Sequence, residues 1–349
     1  MELDDLRYED HEDFNQSIDD DEGVITVLDT PFRASEILFT LQKETYRIAL
    51  TDFEDQQAEE LKQLAFNVLP DCIAYNYWLS QRGPNSNNPI YRFLHLKDSW
   101  EAVIFTLNAL VWGEVRAKAI DLKAAQVYRS GNPNLPFNAP TLLSDEPKQI
   151  IENIKAVVNF SNANGLNLKC GNAISIELIT TLYELQNNRN HFSHTATPTR
   201  EQAEEELRAV LPLFKTVLKN LRFFEDISIL RFENFDTKCH FQIFKAYSLH
   251  RESDHGIEIQ ADKIAYVMAE AGEVIFAKWD DEIFSLSPFM HYKHDTTGHE
   301  TYLSVYKGKR ESKFWYEPVK VRENICFDLL QARFDAEKTE LQNLIVPTT

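Results

Sequence analysis

The run NNRNHFSHTA, residues 187–196, gathers an arginine, several asparagines and two histidines into ten positions. Within it Arg189, Asn190 and His194 form R-N-x-x-x-H. These residue types suit the cleavage of RNA without a metal. The 2′-hydroxyl of RNA can attack its own phosphodiester when one group takes its proton, another protonates the leaving oxygen, and fixed positive charge holds the phosphate. Histidine titrates near neutrality and serves as base or acid. Arginine stays charged and forks onto two phosphate oxygens. Asn190 can hydrogen-bond the phosphate or hold His194 in one tautomer. The step from Arg189 to His194 turns an ideal helix by about 140°. The pair therefore converges only if the helix unwinds near Asn190–Ser193, or if a second subunit brings a matching pair opposite. The competing reading is a helix C-terminus carrying positive charge where the dipole favours it.

The elements that must position this run read as helices. Residues 31–50 carry apolar positions at mixed helical spacing. Thr51 opens a capping-box pattern before a helical stretch to about Leu79 that must bend or break at Pro70. Phe93 to about Tyr128 reads as one long helix, with Trp100, Val103, Ile104, Leu107, Leu110, Val111 and Val115 in an apolar stripe. GNPNLPFNAP (131–140) cannot continue it. Helical patterns resume over Glu146–Asn162, Ala173–Gln186 and Thr199–Phe224. The last opens with a capping box, TREQ, and an acidic first turn. After about Asp226 the texture changes to short aromatic and β-branched segments, including GIEIQ, KIAYVMAE and EVIFAKW, separated by turn-like stretches. NICFDLLQARFDAEKTELQNLI closes the chain as an amphipathic helix.

A helix, the R-N-x-x-x-H run, and then a second helix with an acidic cap, inside a bundle of four or five helices, resembles the HEPN superfamily. The resemblance covers about residues 35–225 and is most specific over 172–224. Composition and patterning together with it predict an α+β chain: a HEPN-like helical domain over 26–225, flanked by two parts outside the family pattern, an acidic, disordered tail over 1–25 and a β-rich domain over 226–349 closed by a helix. The resemblance further implies a metal-independent endoribonuclease of the kind used in toxin–antitoxin, abortive-infection and antiviral systems. Such enzymes work as homodimers whose paired motifs face one cleft. On this resemblance Arg189 and His194 are catalytic and Asn190 supports them, with no cofactor and no metal. His191, Arg116, Lys215 and Lys219 are further candidates for contacting RNA. The partners implied are RNA, a second copy of the chain through its helical domain, and a regulatory protein or antitoxin. Two other classes fit the same residues: a HEPN-like module that grips a nucleotide without cutting it, and an acidic adaptor subunit of a defence complex.

Composition bounds these readings. The formal charge of −19 disfavours indiscriminate binding to nucleic acid or anionic membrane, because phosphate contacts need local positive charge. Much of that excess sits in residues 1–22. The longest apolar run, AVIFTLNALVW (102–112), is too short to span a bilayer. The acidic start lacks the features of a signal peptide. Cys72, Cys170, Cys239 and Cys326 form no CxxC pair and read as reduced thiols of a cytoplasmic protein. His291, His294 and His299 have a metal-like count, but DTTG between them reads as a hairpin turn. KGKRESK (307–313) reads as a basic hairpin tip. Glu114 and Arg116 are polar interruptions of the most apolar helix, either facing a cleft or forming an exposed charge pattern. No phosphate-cradling glycine loop, GxSxG or HExxH is present.

Overall fold

The computed structural model describes residues 24–27, 30–33, 58–193, 199–247, 253–255, 257–269, 274–294, 301–310, 313–318, 325–326 and 331–345. They divide into two units, Met1–Gln63 and Leu64–Thr349. In the first unit, β1 (Val24–Val27) and β2 (Thr30–Arg33) form an antiparallel hairpin with Val24 opposite Arg33. Residues 31–33 were expected to open a helical stretch. VITV and the Pro31-containing TPFR instead pair as strands, and proline is tolerated at such a two-stranded edge. Thr51 and the acidic residues 1–22 lie outside the described residues.

In the second unit, residues 64–67 are helical and the chain breaks at Pro70, as its missing N–H and fixed φ require. Helix α1 (Asp71–Arg82) starts directly after it. Helix α2 (Pro89–Ala117) begins at Asn88, whose side chain accepts a hydrogen bond from the Ile90 N–H. Every residue from Ser99 to Val115 is buried. A helix covered all round is a core helix, not an amphipathic surface one. It packs against α1, α4 (Pro147–Asn164) and α7 (Arg200–Asn220), with further contacts to α6 (Ile176–Ser193), to a strand of the C-terminal region and to the closing helix.

Helix α2 stops at Ala117, short of the expected Tyr128. Ala119 takes a left-handed φ of 49°, which ends helical propagation. Strands β3 (Gln126–Arg129) and β4 (Asn132–Pro136) then form a hairpin turning at Gly131, whose φ is 75°. QVYR alternates exposed and buried positions, the period of a strand. Short helices α3 (Ala139–Leu142) and α5 (Lys169–Ala173) complete the connections. Helix α7 carries the expected capping box: the Gln202 N–H donates to Thr199 Oγ1, and the Thr199 N–H donates to Gln202 Oε1.

The C-terminal region forms two antiparallel sheets. One has the order β7-β6-β5-β8-β9, from β5 (Ile227–Phe235), β6 (Cys239–Ile243), β7 (Ser253–His255), β8 (Ile275–Trp279) and β9 (Glu282–Ser285). The other has the order β10-β11-β12-β13, from β10 (Met290–His294), β11 (Thr301–Arg310), β12 (Lys313–Pro318) and β13 (Ile325–Cys326). KIAYVMAE, expected as a strand, is instead helix α8 (Ala261–Ala269). Val267 is fully buried while Tyr266 and Met268 on either side are exposed, and Ile264 one turn earlier joins the same apolar cluster. That spacing is helical, and Ala, Lys and Met favour it. Residues 257–260 of GIEIQ, expected as a strand, pair with no strand among the described residues, yet Ile257 and Ile259 pack on that cluster too. The chain closes with α9 (Gln331–Ile345), so helices fill the first half and sheets the second, ending in a helix.

Several contacts bind the helical part to the sheets. Asp71 donates its N–H to the Phe244 carbonyl, while the Ala246 and Tyr247 N–H groups donate to the carbonyls of Leu69 and Phe66. These carbonyls end the broken helix and have no partner within it. Glu114 is fully buried, and its carboxylate accepts the N–H groups of Lys169 and Cys170 at 2.7 and 2.9 Å and the Lys118 ammonium at 2.8 Å. It is thus a buried helix-start cap, and neither a cleft residue nor part of an exposed charge pattern. Arg116 reaches Glu337 and Glu340 of α9, at 3.6 and 3.9 Å. Ser287 donates its single hydroxyl proton to Glu337 at 2.6 Å. Its oxygen must then accept from His291 Nε2, 2.9 Å away, so that nitrogen carries a hydrogen. His291 is spent on this buried link. The side chain of His294 and all of His299 lie outside the described residues, as does the tip of KGKRESK between β11 and β12.

Gly113 sits where α2 meets β9. A Cβ there would lie 2.7 Å from the Ser285 carbonyl oxygen and 3.0 Å from the Phe284 ring. Gly113→Ala is predicted to destabilise the protein by roughly 1–3 kcal/mol, despite the better helix propensity of alanine. A lowered urea midpoint at unchanged slope tests this; an unchanged or raised midpoint contradicts it.

Candidate functional site

Helix α6 buries Leu178, Ile179, Leu182, Leu185 and Gln186. Arg189 follows Leu185 and Gln186 by four and three positions and so continues the inward face. It therefore reaches α2 and does not simply project from a helix end. Its Nε lies 3.0 Å from Glu101 Oε1; the Glu101 side chain is 10% exposed and that of Arg189 33%. Lys97, one turn before Glu101, lies 4.0 Å from the other carboxylate oxygen and 2.9 Å from Asp98. Burial pulls the Lys97 ammonium toward neutrality. Glu101 and Asp98 outweigh that and raise its pKa above the ordinary value, against the opposing Arg189 charge. Lys97 thus stays protonated. The result is a seam of two cations and two carboxylates between α2 and α6.

The contact is an ion pair without hydrogen-bond alignment at Nε, so it holds the Arg189 charge beside Glu101, and the two terminal nitrogens of a guanidinium are a pair that forks onto a phosphate. Among the described residues, Glu101 is the one carboxylate within ion-pair distance of Arg189. The arrangement can present a localised cation at the end of a buried stripe.

The backbone of Asn190 and His191 continues α6, which stays helical to Ser193. The unwinding that would let Arg189 and His194 converge within one chain does not occur over these residues. The side chains of Asn190 and His191, and all of His194, lie outside the described residues. The other candidates for contacting RNA are not gathered around Arg189. Arg116 is fifteen residues along α2 from Glu101, roughly 22 Å at helical rise. Lys215 and Lys219 are exposed near the far end of α7. That end lies at the start of α6, where Asn220 Nδ2 donates to Glu177 Oε2 and Ser175 donates to Asn220 Oδ1. Among the described residues no three His, Cys, Asp or Glu side chains group to hold a metal ion.

Sequence reasoning missed Lys97, Asp98 and Glu101. Their one signal is KDSWE, a charged cluster opening an otherwise apolar helix. Cys72, Cys170 and Cys239 are buried free thiols, and burial, with Asp71 adding to it, pushes the Cys72 thiol up to about 12. No helix among the described residues is long and apolar enough to cross a membrane. No family model, curated protein or solved structure matches the chain.

A double-mutant cycle on Arg189→Ala and Glu101→Ala is predicted to return a coupling energy of about 1 kcal/mol, the upper range for a half-exposed ion pair. Chemical denaturation of the four proteins measures it. Additive losses would show that the pair contributes nothing.

Proposed function

We propose that the chain is a metal-independent endoribonuclease of HEPN type, a cytoplasmic toxin or antiphage effector held in check by a partner or trigger. The observation that supports this best is the Arg189 charge, held by an ion pair with Glu101 near the end of α6 and followed directly by Asn190 and His191. In the proposed reaction the 2′-oxygen forms a bond to phosphorus as the bond from phosphorus to the 5′-oxygen breaks. A base removes the 2′ proton, an acid protonates the departing 5′-oxygen, and Arg189 stabilises the charge on the phosphoryl oxygens. His194 supplies the titrating group.

One imidazole per chain provides a base or an acid but not both at once. Because α6 remains helical to Ser193, a two-fold dimer through the helical part is the route by which Arg189 and His194 of two chains share one cleft. A second reading, a module that grips a nucleotide or RNA phosphate without cutting, draws on the carboxylates of Glu101 and Asp98. They cancel the formal charge of Arg189 and Lys97 and temper any electrostatic catalysis.

Arg189→Ala and His194→Ala are each predicted to lower RNA cleavage by at least about a hundred-fold, while EDTA has no effect. The products should carry 2′,3′-cyclic phosphate and 5′-hydroxyl ends. Cleavage that needs a metal, 3′-hydroxyl ends, or full activity of His194→Ala would contradict the mechanism. Binding without products in every assay would select the second reading.

A mixture of Arg189→Ala and His194→Ala chains should recover activity that neither has alone. Full activity of a monomer in dilute solution, followed by light scattering, would exclude the shared cleft.

A further inference from the structure

Away from Arg189, helix α4 and the β3–β4 hairpin enclose a concavity of about 330 Å³. Helix α4 buries Ile150, Ile151, Ile154, Val157 and Val158. Its Glu152, Lys155, Ala156 and Asn159 fall at successive helical steps on a second stripe, and these four line the concavity. The hairpin supplies Gln126 and Tyr128, which share the outward face of β3 while Val127 points inward, and Asn134 from β4. Ala156 is what leaves the space open, since any larger side chain at that step would enter it.

The chemistry of the lining is specific. Three carboxamides, Gln126, Asn134 and Asn159, each offer a donor and an acceptor, and among the described residues none spends its side chain on a hydrogen bond within the protein. Adjacent donors and acceptors of this kind match the edge of a nucleobase. Tyr128, 42% exposed, offers a ring face on which a base can stack. A carboxylate such as Glu152 accepts from ribose hydroxyls, as acidic residues do in dinucleotide sites, and Lys155 supplies positive charge for one phosphate. Burial holds the Glu152 carboxyl above its ordinary range, with Lys155 countering, which marks this as the sheltered side of the pocket. The volume falls in the range of small-ligand sites.

We propose that this concavity binds a single nucleotide, its base against Tyr128 and the three carboxamides, its ribose toward Glu152 and its phosphate toward Lys155. The nucleotide can come from free solution or as one unstacked residue of an RNA strand. The site is independent of whether Arg189 cuts RNA.

Isothermal titration calorimetry tests it, on the full chain with AMP, GMP, CMP and UMP and with the matching nucleosides, and on the full-length His194→Ala chain with unmodified RNA tetranucleotides, which keep the ribose 2′-hydroxyls while the proposed cleavage is disabled. At least one mononucleotide should bind with one site per chain if the source is free nucleotide; binding of the tetranucleotides alone would identify the strand. In either case Ala156→Trp should abolish binding and Tyr128→Ala should weaken it about ten-fold. Lys155→Gln should weaken the phosphorylated ligand and leave any nucleoside binding unchanged. Circular dichroism checks that each variant is folded. Should Ala156→Trp fail to fold, Tyr128→Ala and the exposed Asn159→Ala decide the matter. No binding of any probe at millimolar concentration, or binding that these variants leave unchanged, overturns the proposal.

Discussion

Helix α2 is enclosed on every side from Ser99 to Val115, and the rest of the structure answers to that constraint. A buried polar group without a partner costs about 1–3 kcal/mol, and several along α2 recruit a neighbour on another element. Ser99 donates to the Ile73 carbonyl of α1. Thr106 meets the Cys72 thiol at 3.4 Å. Glu114 fixes the start of α5, and Arg116 joins α9. Glu101 takes Arg189 of α6. The candidate site is therefore one of several polar ties that radiate from a single helix, and its arginine is paired with a carboxylate of that helix.

The ties differ in what surrounds them. Glu114 is fully buried and its carboxylate is taken up by two amides and an ammonium. Glu101 lies nearer the surface, with Arg189 partly open to solvent and Lys97 adjoining. A closed tie of the first kind serves stability. The second leaves part of a cation facing outward, where an anionic group can approach. The excess of negative charge on the chain confines such an approach to places where cations are held locally.

Much of the helical part was legible because its signals are local. Pro70 ends the helical run before it through its own missing N–H, and TREQ at Thr199 forms its capping box from four consecutive residues. Helix α4, read as Glu146–Asn162, spans Pro147–Asn164, since its apolar stripe and the left-handed Gly165 define it within the segment. The misreadings involve apolar residues that satisfy two periods at once. Leu122, Ala125 and Val127 extend the spacing of α2 but fill a loop and a strand. Ile264 and Val267 suit a strand by type and a helix by step, and only packing against Phe276 and its neighbours decides. Arg189 stood out by its motif. Glu101 did not, because its role depends on a helix some ninety residues further on, and no spacing along the chain encodes that.

The break at Pro70 also bears on how the protein is made. The carbonyls of Phe66 and Leu69 are satisfied by amides of Tyr247 and Ala246, which leave the ribosome on the order of ten seconds or more later at ordinary elongation rates. Glu282, Ser285 and Glu337, which meet Lys118, Gly113 and Arg116, emerge later still. Until then the helix that organises the core has one flank bare and its apolar surface open to other chains. Such long-range closure slows folding. Completion of the last sheet is the event that covers the helical half.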